Sequence, residues 1–177
     1  TTWLSPDMRL DRSGSTRPHI DRPKIAATGS SVYVTWEENG NRHGIFFNIP
    51  FGAQPYGTPT AGTNGVAPRL TASGFPVIGQ VPTLQVADGL GAAPGALLIG
   101  IGPASKTAQP FLGGTLLVAP LLGAPVTLDP AGTASFALPV PNNPSLVGLN
   151  LNFQAGIVDS GAPIGVSLTN GLEVWIG

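Results

Sequence analysis

Glycine and proline together fill about a quarter of this chain, 25 and 19 of its 177 residues, against roughly 12% in an average globular protein. Each such residue inside a helix costs about 1–3 kcal/mol relative to alanine. At this density no long helix survives. A composition so rich in turn formers is also compatible with disorder, but 42% of the residues are hydrophobic, and runs of Val, Leu and Ile supply core material that disordered chains lack. Short strands joined by tight turns satisfy both facts, so the chain is expected to be all-β. Its length supports one sizeable core with a small appendage.

Charge divides the chain. Charged residues are 10% of the total and the net charge is −1, which leaves no basic surface for nucleic acid or anionic lipid. Eleven of the 17 charged residues lie before Pro50, and only Arg69, Lys106, Asp88, Asp129, Asp159 and Glu173 follow it. A step of this size predicts two segments, residues 1–50 and 51–177, joined by a linker over about Pro50 to Val66. Cysteine is absent, which removes disulfides, thiolate chemistry and most structural zinc sites. The most apolar window, Leu112 to Val126, is broken by Gly113, Gly114, Pro120, Gly123 and Pro125. It is too short for the ~20 residues a bilayer requires, so it reads as buried strands and no membrane span is expected. The sequence begins at Thr1 without a charged and apolar leader, as expected after removal of an export signal.

In the first segment, Val32 to Glu37 is β-branched and aromatic and passes through Asn39-Gly40 into Gly44 to Asn48. This is a strong hairpin signal. Trp3-Leu4 and Met8-Arg9-Leu10 predict a further strand, Asp11 to Arg22 a loop, and Pro23 to Ala27 leads into the hairpin. The succession of Trp3, Met8-Arg9-Leu10-Asp11, Pro23 to Gly29, Val32 to Glu37 and Ile45 to Asn48 resembles one blade of the sialidase-like β-propeller repeats. A propeller has about 4–8 blades, and only one is present here. The turn Asp11 to Thr16 also lacks the aromatic residue of the sialidase Asp-box, so the resemblance implies a blade-like segment without sialidase activity.

In the second segment, apolar runs recur between turn signals: Thr83 to Val86, Ala96 to Ile101, Thr115 to Val118, Pro125 to Leu128 and Thr133 to Leu138. Val147 to Ile157 alternates clearly, with Val147, Leu149, Leu151 and Phe153 on one face and Gly148, Asn150, Asn152 and Gln154 on the other. Leu172 to Ile176 follows a turn at Asn170-Gly171. The spacing predicts an antiparallel β-sandwich or jelly roll of about eight or nine strands. Tyr56-Gly57-Thr58, Gly65 to Leu70, Pro139 to Leu149, Gln154-Ala155, Val158-Asp159, Gly165 and Thr169 to Leu172 resemble the small carboxy-terminal β-domain of large secreted bacterial proteins. That resemblance implies an extracellular or cell-surface location and no particular chemistry.

No catalytic constellation assembles from the sequence. His19 and His43 fall in polar loops or turns, and no Gly-x-Ser-x-Gly elbow occurs. Asp7, Asp11, Asp21, Glu37 and Glu38 are the only cluster from which a glycosidase-like pair could be drawn, with Asp21 and Glu37 as the testable members. Asp11, Ser13 and Ser15 have the alternate spacing of an oxygen-ligand loop but lack the downstream Glu of an EF-hand, so no cofactor or metal is expected. Aromatic residues stand out: Trp3, Tyr33, Trp36, Phe46, Phe47, Phe51 and Tyr56 are concentrated in the first third. A lone blade has two open edges and is marginally stable alone. The expected function is therefore that of a non-catalytic extracellular structural subunit. Trp3, Leu4, Val34, Trp36, Phe46 and Phe47 would dock it on a neighbouring copy by β-augmentation. The rival expectation is a carbohydrate-binding or surface-sorting module of a larger secreted enzyme or adhesin, with a glycan stacked on Trp3, Tyr33 or Trp36.

Overall fold

The computed structural model of the chain describes residues 20–28, 31–38 and 44–177, with side chains from Phe51 onward. Strands β1 (Ile20–Thr28), β2 (Ser31–Glu38) and β3 (Gly44–Tyr56) come first. They are followed by β4 (Arg69–Ser73), β5 (Thr83–Ala87), β6 (Pro94–Ile101) and β7 (Lys106–Phe111). Then come β8 (Gly114–Val118), β9 (Leu122–Thr127) and β10 (Ala134–Ala137). The last three are β11 (Asn150–Val158), β12 (Val166–Leu168) and β13 (Gly171–Trp175). Among the described residues the only helical pieces are single 3-10 turns at Thr63–Gly65, Pro103–Ser105 and Pro144–Leu146, as the glycine and proline content requires.

All pairings are antiparallel. The main sheet runs β1-β2-β3-β13-β11-β6-β9, with β12 beside β11; a second sheet runs β10-β5-β4, and β7-β8 form a separate ribbon. The second sheet covers one face of the main one, which makes the fold an all-β sandwich. Between them lie Leu70 of β4, Leu84 and Val86 of β5, Leu97 of β6, Phe153, Ala155 and Ile157 of β11, and Leu172 and Val174 of β13. Phe153, Leu70 and Leu84 are buried completely or nearly so, each contributing about 1.5–3 kcal/mol by leaving water. Asp129 closes the turn between β9 and β10, accepting from the N–H groups of Ala131 and Thr133 and from the Thr133 hydroxyl. The stretch Asp129-Pro130-Ala131-Gly132 between these strands is thus an Asx-type turn.

Four sequence expectations need correction. The expected linker from Pro50 does not begin there, because β3 continues through Pro50 to Tyr56, pairing with β2 in its first half and with β13 in its second. The register slips by one residue between Val32–Phe51 and Val34–Asn48, and Pro50 sits in that bulge, where a missing N–H breaks no ladder. The expected turn at Asn170-Gly171 is also a bulge. Both β12 and β13 pair with the same side of β11, from Gly156–Leu168 to Phe153–Leu172, with one extra residue on their side. The strand expected from Val147 starts at Asn150, since Pro144–Leu146 turns first under an Asn143 side chain that accepts from the Ser145 N–H at 3.1 Å. Finally, the apolar window from Leu112 does yield β8 and β9, but only Leu117 and Val118 are buried there; Leu121 and Leu122 are exposed.

The polar face of β11 is covered as well. Asn150, Asn152 and Gln154 are all at most 2% exposed, because the β7-β8 ribbon lies across them. Side-chain amides fasten these layers. Gln154 accepts from Leu117 N at 2.8 Å and donates to Thr115 O and Thr169 O, both at 3.0 Å. It thus presents to β8 the donor and acceptor that a neighbouring strand would offer. On the opposite side, Asn170 accepts from Leu70 N and donates to Leu70 O, both at 3.0 Å, and attaches β4 in the same way. Backbone groups buried without such partners would each cost about 1–3 kcal/mol.

Candidate functional site

The charge-poor half of the chain places its charges with economy. Arg69 pairs with Asp88 at 2.7 Å on the surface, and Asp159 binds the Thr63 hydroxyl and accepts from the N–H groups of Thr63 and Gly161, both at 2.9 Å. The remaining pair, Lys106 and Glu173, belongs to a polar cluster under one end of the β7-β8 ribbon.

Strand register builds this cluster. Gly100 of β6, Asn152 of β11 and Glu173 of β13 stand directly opposite one another across three strands, so they share the ribbon-side face. Gly100 must be glycine, since a Cβ there would overlap Ser105, which closes over it from the Pro103–Ser105 turn. Ser105 Oγ donates to Gly102 O at 2.8 Å and accepts from Asn152 Nδ2 at 2.9 Å. Asn152 Nδ2 also donates to Asn150 Oδ1 at 2.9 Å and to Gly102 O at 3.1 Å. Its Oδ1 is buried without a hydrogen-bond partner.

Glu173 is the hub. Its Oε1 accepts from Asn150 Nδ2 at 3.2 Å and its Oε2 receives Lys106 Nζ at 2.9 Å. Lys106 Nζ also lies 4.4 Å from the centroid of the Tyr56 ring, a cation–π contact. That ring lies flat over Gly171, where any Cβ would strike it, and its hydroxyl donates to Leu117 O at 2.9 Å. Burial, and then the charge of Glu173, push the Tyr56 phenol up to about 12. The Asn150 amide is 2% exposed, while the side chains of Glu173 and Lys106 are 17% and 40% exposed. The cluster is closed at the amide and open at the amine.

A second feature is an apolar groove of about 350 Å³ beyond the ribbon tip, lined by Pro94, Ala96, Leu98, Phe111, Val158 and Leu168. Among the described residues, no three His, Cys, Asp or Glu side chains converge as a metal site would require, and no helix is long and apolar enough to cross a membrane.

The residues singled out from sequence fare differently. In the backbone register Val34 stands opposite Ile25, Trp36 opposite Phe46 and Val34 opposite Asn48. Positions 25, 34, 36 and 46 therefore share one face of the β1-β2-β3 segment, and Phe47, opposite Thr35, takes the other. Asp21 stands opposite Glu37 in the same register. Trp3, Leu4, Asp7, Asp11, Ser13, Ser15, His19 and His43 lie outside the described residues. Phe51 and Tyr56 belong to the sandwich: Phe51 packs edge-on against Phe75, with ring centroids 6.0 Å apart, and Tyr56 joins the polar cluster. Sequence reasoning passed over Lys106, Asn150 and Glu173. The available signals were the rarity of charge after Pro50 and the run of amides on β11. Compared with known protein families, curated proteins and solved structures, the chain matches none.

Proposed function

We propose that this chain is a non-catalytic structural subunit of an extracellular assembly, in which the β1-β2-β3 segment docks on a neighbouring copy. The observation that carries the reading is the register of that segment, which aligns positions 25, 34, 36 and 46 (Ile, Val, Trp and Phe) on a single face. An extension of the main sheet that aligns four large apolar positions on one face gains stability when that face is covered. Docking runs through this face. Among the described strands β1 is the last of the sheet, and its Pro23, which lacks an N–H, together with Asp21, Arg22 and Lys24 is of the kind that blunts an edge. The six charges in residues 51–177 leave little to oppose close approach of copies. A contact between unlike surfaces of successive copies closes into a ring or continues as a fibre.

Sedimentation and electron microscopy of the full chain test this. The wild type should associate with rising concentration, Trp36→Glu and Phe46→Glu should remain monomeric, and Phe47→Glu, on the other face, should still associate. A wild type that stays monomeric at every concentration and forms no filaments would overturn the proposal.

A further inference from the structure

We propose that Lys106 and Asn150 form an intramolecular isopeptide bond, with Glu173 as the proton-transferring residue and ammonia as the leaving group. The juxtaposition is specific: the amine nitrogen of Lys106 and the amide nitrogen of Asn150 bind the two different oxygens of one carboxylate, at 2.9 and 3.2 Å. An amine, a carboxamide and a group that can accept a proton from the first and deliver one to the second are the chemical groups transamidation needs, and a shared carboxylate brings the first two toward each other. This reading is independent of the assembly proposed above.

The step balances without any further reactant. Glu173 takes a proton from the Lys106 ammonium, and the freed lone pair attacks Asn150 Cγ, forming the new C–N bond. The carbonyl electrons move onto Asn150 Oδ1, which already accepts a hydrogen bond from Asn152 Nδ2 at 2.9 Å. A donor placed there stabilises the charge that develops on the oxygen. The protonated Glu173 returns its proton to the amide nitrogen and the old C–N bond breaks; the carboxylate then takes the surplus proton from the new amide nitrogen and passes it to the departing ammonia, which leaves as ammonium by the open side where Lys106 meets solvent. The chain loses the elements of one ammonia, and nothing is oxidised or reduced.

The surroundings suit this chemistry. Asn152 is held by Ser105 and Gly102, so its donation to Asn150 is fixed in advance of reaction. The Tyr56 ring, itself locked by Gly171 and Leu117, confines the amine on one side at 4.4 Å. Such positioning turns a slow bimolecular reaction into an effectively unimolecular one. Lys106 opens β7 and Asn150 opens β11. Their bond would close β7 through β10 into a covalent ring and tie the ribbon permanently to the main sheet, a suitable reinforcement for a chain without cysteine.

Intact-mass measurement of the purified full chain, followed by peptide mapping, tests the proposal. The wild type should be lighter than its sequence mass by one ammonia and yield a branched peptide joining the segments of Lys106 and Asn150. Lys106→Arg keeps the ion pair but offers a poor nucleophile, and it should show the full sequence mass, as should Asn150→Ala. Glu173→Ala should slow bond formation after refolding by about 100-fold or more, the usual weight of a general acid–base group. A folded wild type that keeps its full mass on prolonged incubation would overturn the proposal. So would a mass gain from hydrolysis of Asn150 to aspartate, or a branched peptide that maps to other residues.

Discussion

Replacing Gln154 by leucine should detach the β7-β8 ribbon. Gln154 is completely buried and makes three hydrogen bonds of 2.8–3.0 Å to Leu117 N, Thr115 O and Thr169 O. At about 1 kcal/mol net for each bond, the loss starts near 3 kcal/mol. Leaving three backbone groups unpaired under the ribbon raises it at about 1–3 kcal/mol each, while burying leucine returns up to about 2 kcal/mol. The expected loss is about 4–10 kcal/mol, which at roughly 2–4 °C per kcal/mol lowers the melting temperature by about 8 °C or more for a chain of this size. Urea titration measures it directly, and amide exchange at Leu117 should accelerate beyond the global change as the ribbon opens first. Gln109→Leu, on the exposed side of β7, serves as a control and should stay within about 0.5 kcal/mol of wild type. A Gln154→Leu protein that loses less than about 1 kcal/mol and keeps its Leu117 amide protected would refute the view that this amide stands in for a strand.

Asp159→Asn should cost about 2–3 kcal/mol, because the three donors on the carboxylate lose a charged acceptor. Burial alone would raise the Asp159 carboxyl, but the bonds from Thr63 Oγ1, Thr63 N and Gly161 N outweigh it and hold it below its ordinary value of 3.8. The contribution is therefore complete above that value and is lost as the pH falls through the lower folded-state pKa. The stability gap between wild type and variant should close in that acid window, as followed by denaturant melts against pH. Tyr56→Phe should cost about 1 kcal/mol for the bond to Leu117 O, and it should remove a phenol that titrates near 12 in ultraviolet difference spectra. Since that pKa is raised on folding, its stabilisation is full below the ordinary value of 10 and is lost as the pH rises through about 12. An unchanged alkaline titration in the variant would contradict the assignment.

The sequence by itself settled the class of fold. Glycine and proline at this density exclude long helices, and alternation on β11 chose Phe153 as core, since both effects act within a few residues of chain. The Asp129 turn was legible for the same reason, its donors lying within four residues. What only the tertiary structure decided was the fate of the polar positions. Asn150, Asn152 and Gln154 read as an outer face, and a ribbon supplied by other strands buries them. Asn170 read as part of a turn, yet its side chain binds Leu70, 100 residues away. Pro50 read as a boundary because composition changes there, but a bulge lets β3 pass through it. Lys106, Asn150 and Glu173 carry no shared motif. They meet because strands far apart in sequence are adjacent in the sheet, and register is a property of the pairing rather than of any one strand.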